Sequence, residues 1–207
     1  VISLNANGME STPGFKITIP LLTRALQGVV YGDLFMRLLY ATRPYELQAG
    51  AAEAVHQKWK KICQESLSKK SIPLFEFGKN VKGIIRDFDN IPLSSEEKPK
   101  VGIVGEILVK FSPLANNHIV ELLEKEGAEA VMPDLMDFLL YCFYNQNFKH
   151  ENLGASWKGK TLCNIAISLL ESFRKTAKKE LQKSKHFTAP SDIRELASLA
   201  REYVSLG

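Results

Sequence analysis

The run Val101-Gly102-Ile103-Val104-Gly105-Glu106-Ile107 constrains this chain more than any other stretch. An apolar, β-branched run of this kind fills a parallel strand that is buried on both faces. Pro113 and Asn116-Asn117 then mark a loop, and Ile119–Glu126 reads as a helix that Gly127 stops. Glu129–Met132 follows as a second short strand, ended by Pro133. Residues 100–133 therefore make one strand–helix–strand unit, close to the ~30 residues that a βαβ crossover needs.

Helical spacing dominates the flanks. Pro20 opens a long apolar helix that should end near Thr42, because Pro44 disfavours helical geometry at Arg43. Ala49–Ser68 reads as a second helix, with Ala52, Val55, Trp59, Ile62 and Leu67 near one face, and Val81–Phe88 as a short third. Phe138–Tyr144 is an apolar helix. Leu162–Lys185 is an amphipathic one, with apolar positions at Ile165, Leu169, Leu170 and Phe173. Pro190-Ser191-Asp192 caps a last helix over Ile193–Tyr203. Val1–Leu4 and Phe15–Ile19 suit further strands. The expected architecture is a single α/β domain over 1–207: a small parallel, flavodoxin-like sheet of three or four strands flanked by many helices. It divides into a helix-rich part (8–98), the strand unit (100–133) and a helical part (135–207). The start at Val1 and the small sheet suggest a piece cut from a longer protein.

Composition excludes several classes. The 207 residues are 45% hydrophobic and 24% charged, as expected of a globular chain and not of a disordered or collagenous one. No run of about 18 apolar residues would span a membrane, no signal peptide is visible in these residues, and three widely spaced cysteines favour a reducing compartment, so a cytoplasmic location is expected. The net charge of +4 is spread over helix faces where Lys175, Lys178, Lys179, Lys183 and Lys185 alternate with Glu171 and Glu180. That pattern is a solvated face and not a nucleic-acid groove, which would interleave cations with aromatics.

Candidate chemistry gathers at strand ends, where open α/β sheets bind ligands. Glu106, Asn116 and Asn117 lie on the loop leaving the first strand, with Lys110 and His118 beside them. Gly102 and Gly105 do not form a nucleotide phosphate loop. Asp134 follows the second strand, either framing a pocket or capping the next helix. Arg43, Tyr45 and Glu46 end the first long helix; Arg43 either binds an anionic group or fixes the helix end through an acid. Cys63, Cys142 and Cys163 have no metal-ligand spacing and read as free thiols, with Cys142 the weak candidate for a metal. The four histidines are scattered and do not suggest zinc.

Several of these segments share a likeness. Val101–Phe111 (VGIVGEILVKF), Ser112–Asn117 (SPLANN) and Glu126–Tyr141 (EGAEAVMPDLMDFLLY) resemble a block of the 2-hydroxyacyl-CoA dehydratase family. They are closer still to the long fused activators of (R)-2-hydroxyglutaryl-CoA dehydratase, also called acyl-CoA dehydratase activases. Val1–Phe15, Tyr31–Asp33 and Thr42–Glu46 are similar to preceding pieces of those proteins. The resemblance implies a part of an ATP-driven iron–sulfur system that delivers an electron for dehydration of a 2-hydroxyacyl-CoA. It implies no cofactor in this chain itself, with iron–sulfur cluster and ATP held elsewhere in the parent protein. The ATPase phosphate motifs are absent from these residues, so the chain alone is not expected to be active. The implied partners are other domains of the parent or a dehydratase subunit, and acyl-CoA. The alternative from a different class is a docking module without a ligand of its own.

Overall fold

The computed structural model describes residues 18–69 and 73–203. The first element is α1 (Ile19–Thr42), followed by α2 (Ala51–Ser68) and α3 (Leu74–Asp89). The strand unit comprises β1 (Lys100–Gly102), α4 (Ile107–Phe111), α5 (Ile119–Lys125) and β2 (Glu129–Val131). Three helices close the chain: α6 (Leu135–Asn152), α7 (Trp157–Leu181) and α8 (Ile193–Ala200).

Helix α1 organises the body. Its side chains Leu26, Val30, Leu34, Leu38 and Leu39 are buried, and it packs against α2, α3, α6 and α7. Pro20 sits in its first turn, as expected, and the Thr18 side chain caps it by accepting from Leu21 N. Helix α3 begins seven residues before Val81. Phe77, Val81, Ile84, Ile85 and Phe88 then face the core at helical spacing. Gly83 lies on that face because a side chain there would meet Trp59: its Cβ would stand 2.3 Å from the indole edge.

The expected sheet of three or four strands is not found among the described residues. Of these residues 66% are helical, and β1 and β2 form a two-stranded parallel sheet, with Lys100 opposite Glu129 and Gly102 opposite Val131. This is a helical protein with a small strand unit and not a flavodoxin-like α/β fold. The strand predicted over Val101–Ile107 stops at Gly102. Gly105 takes φ 137°, a conformation that suits glycine, and Glu106 then turns the chain into α4. The second strand is equally short, since Asp134 already caps α6. The strand placed at Val1–Leu4 lies outside the described residues, as does most of Phe15–Ile19; of the latter, Thr18 and Ile19 belong to the start of α1.

Two more expectations change. Helix α6 runs over 18 residues, far past Tyr144, and α7 starts at Trp157 instead of Leu162. On α7 the buried side chains are Ile167, Leu170, Arg174, Ala177 and Leu181, whereas Ile165 and Leu169 face outward. The face turned inward is the one that pairs with α6 and α3. No helix among the described residues is long and apolar enough to cross a membrane.

Candidate functional site

The strand unit joins the helical body through buried polar contacts. Asp33 on α1 accepts from Leu135 N and Met136 N at 2.8 and 2.9 Å, so a side chain 102 residues upstream of Leu135 helps cap α6. One turn on, Arg37 Nη2 donates to Asp134 at 2.8 Å. Asp137 accepts from Asp134 N in a capping box and pairs with Arg174 at 2.6 Å. Arg174 also binds Glu171 and the Ser191 carbonyl. Burial, with the Asp134 carboxylate beside it, pushes Asp33 up to about 7 against the pull of its two amide donors. Burial also raises Asp134, and Arg37 offsets part of that.

A second seam lies nearer the strand ends. Arg43 donates through Nε and Nη2 to Glu124 on α5, at 3.0 and 2.8 Å. Tyr45 donates to Glu129 on β2 at 2.8 Å; burial and that carboxylate push its hydroxyl up to about 12. Beside Arg43 a cleft of about 300 Å³ opens between α1 and α2 on one side and the 110–121 segment on the other. Met132, just past the end of β2, forms part of its lining. Its size is at the lower end of small-molecule sites.

The sequence candidates divide between this cleft and structural duties. Arg43 and Asn116 line it. The Asn116 amide holds the loop closed, donating to Lys110 O at 3.0 Å and accepting from Ile119 N. Asn117 and His118 both adopt left-handed backbone, φ 55° and 54°, which turns the chain sharply into α5. Glu106 caps α4 through Leu108 N and Val109 N. Glu46 caps α2 through Gly50 N and Ala52 N. Asp134 caps α6, and Tyr45 ties β2 to the body.

No family model, curated protein or solved structure matches this chain. The residues that complete the cleft come from α1 and α2: Met36, Leu39, Tyr40, Glu53 and His56. Sequence reasoning passed over them, because Met36, Leu39 and Tyr40 look like core positions and His56 looks like a stray histidine. Their only sequence signal is that they sit within a few turns of Arg43. His56 packs edge-on against Phe35 and points Nδ1 at Glu53, 3.4 Å away.

The thiols do not suit the iron–sulfur cluster that the family resemblance implies for the parent protein. Cys63 is buried between the helices of the body, which pushes its thiol up to about 12, while Cys142 and Cys163 lie on α6 and α7. Cys142 is exposed instead of packed in its apolar run. Among the described residues no three His, Cys, Asp or Glu side chains gather as a metal site.

Proposed function

We propose that the chain is a module of an activator of (R)-2-hydroxyglutaryl-CoA dehydratase-type protein. In this reading it belongs to an ATP-driven iron–sulfur electron-transfer system for 2-hydroxyacyl-CoA dehydration, and it contributes a wall of an acyl-CoA or cluster pocket instead of the redox centre. One observation supports this most: the separate blocks that carry the resemblance touch each other in space. Tyr31–Asp33 meets Pro133–Met136 through Asp33, and Thr42–Glu46 meets Glu126–Tyr141 through the bond from Tyr45 to Glu129. Blocks shared for functional reasons would be expected to lie together in space.

The test is anaerobic recovery of the tagged protein from its native host. The expected result is co-purification with an iron-loaded ATPase or dehydratase partner, and stabilisation of the assembly by an acyl-CoA in a thermal-shift series. An iron-free preparation with no such partner and no response to any acyl-CoA overturns the reading.

A docking module is the second reading. Exposed apolar side chains on α6 and α7, among them Phe138, Leu162, Ile165 and Leu169, favour it. Stable association with a partner that contains neither ATPase nor dehydratase would select this reading.

A further inference from the structure

Helices α3 and α7 run side by side in the same direction. A Cβ at Gly78 would stand 3.9 Å from the Thr176 methyl, Lys82 Nζ lies 3.9 Å from Glu180, and Ser184 donates to Asp89 at 2.7 Å. Their starts do not match. α3 begins four residues before Gly78, whereas α7 begins nineteen before Thr176. The difference of fifteen residues leaves about 22 Å of α7 ahead of α3. Positions seven, eleven and fourteen before Thr176 repeat its face of the helix, and they are Leu169, Ile165 and Leu162. The face of α7 that α3 covers therefore continues ahead of α3 as three large apolar side chains, 52 to 67% exposed. This ledge ends at the start of α3, where Leu74 and Phe75 are 73 and 83% exposed.

Cations stand at both ends of the ledge. Lys158, four residues before Leu162, continues the same face, and Trp157–Leu170 contains no acidic residue. Lys160 is paired with Glu151, while Lys158 has no carboxylate partner among the described residues. At the α3 end Lys79 follows Phe75 by one turn, and Lys69 pairs with Glu76. One turn further on, Glu180 lies between Lys82 and Lys183. Glu171 binds Arg174 and Lys178 on the side of α7 that meets α6. At the two ends Lys69, Lys79, Lys82, Lys158 and Lys183 thus stand against Glu76 and Glu180.

An apolar face between cationic ends is complementary to a helix with an apolar stripe between carboxylates. A second copy of this chain, laid in either direction along α7, would set lysines against lysines. We propose that the ledge docks an amphipathic helix of a partner protein, with its apolar stripe against Leu162, Ile165 and Leu169 and with Asp or Glu at both of its ends. The proposal names the partner chemistry for the docking reading and rests on it. Recovery of no partner from the host counts against that reading, whereas the peptide experiment counts against the ledge alone.

That experiment reads the fluorescence anisotropy of three labelled helical peptides of about sixteen residues, roughly 24 Å long, titrated with the whole chain. The first carries a Leu/Ile stripe with Glu at both ends. The second has the same stripe with Lys at both ends, and the third keeps the Glu ends but has Ser in place of the stripe. The first is expected to bind with a dissociation constant of about 10–100 µM, and the other two at least about tenfold more weakly. The double variant Ile165→Ser, Leu169→Ser should weaken the first peptide at least about tenfold with Tm unchanged, since both positions are exposed. The double variant Lys79→Glu, Lys158→Glu should reverse the order of the two apolar peptides, which a folding defect would not do. Four results overturn the proposal. They are no binding of the first peptide at about 1 mM, equal binding of the two apolar peptides, and an affinity untouched by the Ile165/Leu169 variant. The fourth is a dimer on gel filtration that this variant dissolves, which would give the ledge to a second copy.

Discussion

The helical body and the strand unit are held together by different means. Among the described residues the body's core contains twenty-four buried apolar side chains drawn from α1, α2, α3, α6, α7, α8 and the loops beside them. The strand unit's own cluster has four: Ile103, Val120, Ala130 and Met132. A core of four such residues stabilises little by itself, since each contributes about 1.5–3 kcal/mol at most. An isolated pair of short strands is marginal in water. The unit therefore depends on its attachments: the apolar contact with Met36 and Tyr40 of α1, and the polar bonds from Asp33, Arg37, Arg43 and Tyr45.

The sharpest way to break this contrast is inside the body. Arg174→Ala leaves Asp137 and Glu171 without their shared cation at a position where the arginine is only 4% exposed. A loss of about 3–5 kcal/mol is expected in chemical denaturation, with body and strand unit unfolding together. Leu38→Ala, at a fully buried position, should cost about 2–5 kcal/mol by the same measurement. Gly83→Ala drives a methyl into Trp59, whose indole is held by a 2.9 Å bond to Asp87, and should cost about 1–3 kcal/mol.

At the seam the effects should be smaller and local. Arg43→Gln removes the partner of Glu124, a carboxyl whose pKa burial already raises despite that arginine. Amide exchange over residues 119–131 should accelerate, by the equivalent of about 1–2 kcal/mol, while α3 and α7 keep their protection. Equal acceleration throughout would mean that body and strand unit are one cooperative block.

The pH dependence tests the Asp33 contact. The folded Asp33 holds its proton up to about 7, whereas an unfolded aspartate releases it near 4. The folded state thus binds more protons between these values, and this group's contribution to stability falls as pH rises from about 4 to 7. Asp134, also raised, acts in the same sense. Thermal scans should show Asp33→Asn with a flatter profile over that range than the parent chain. The smallest effect concerns the thiols: alkylation should reach exposed Cys142 well before Cys63, which is buried and stays protonated.

Local chemistry in this chain was legible wherever it acts over a few residues. Pro20 in the first turn of α1, the stop at Gly127, the strand at Glu129–Val131 and the Asp192 cap of α8 follow from short-range rules. Glu106, Glu46 and Asp134 were recognisable as polar groups at element ends. Capping and ligand binding ask for the same side chains at the same places, so their positions alone did not separate the two. The length of the sheet was not legible. An apolar run such as Val101–Ile107 fits a strand or a helix equally well, and the outcome depends on whether a partner strand lies alongside. β2 offers only three residues, so β1 ends at Gly102 and residues 103–106 loop into α4, which begins at Ile107.

The sequence by itself determined that helices would dominate and that one parallel strand–helix–strand unit would sit among them. Helical spacing and glycine stops are properties of neighbouring residues. Tertiary structure alone decided that Asp33 caps a helix 102 residues away, that Arg43 serves Glu124, and that Tyr40 and His56 share a cleft with Lys110 and His118. Those arrangements follow from how α1 is rolled against α2 and the strand unit, and a rotation set by packing on all sides of a helix leaves no signature in the order of its residues.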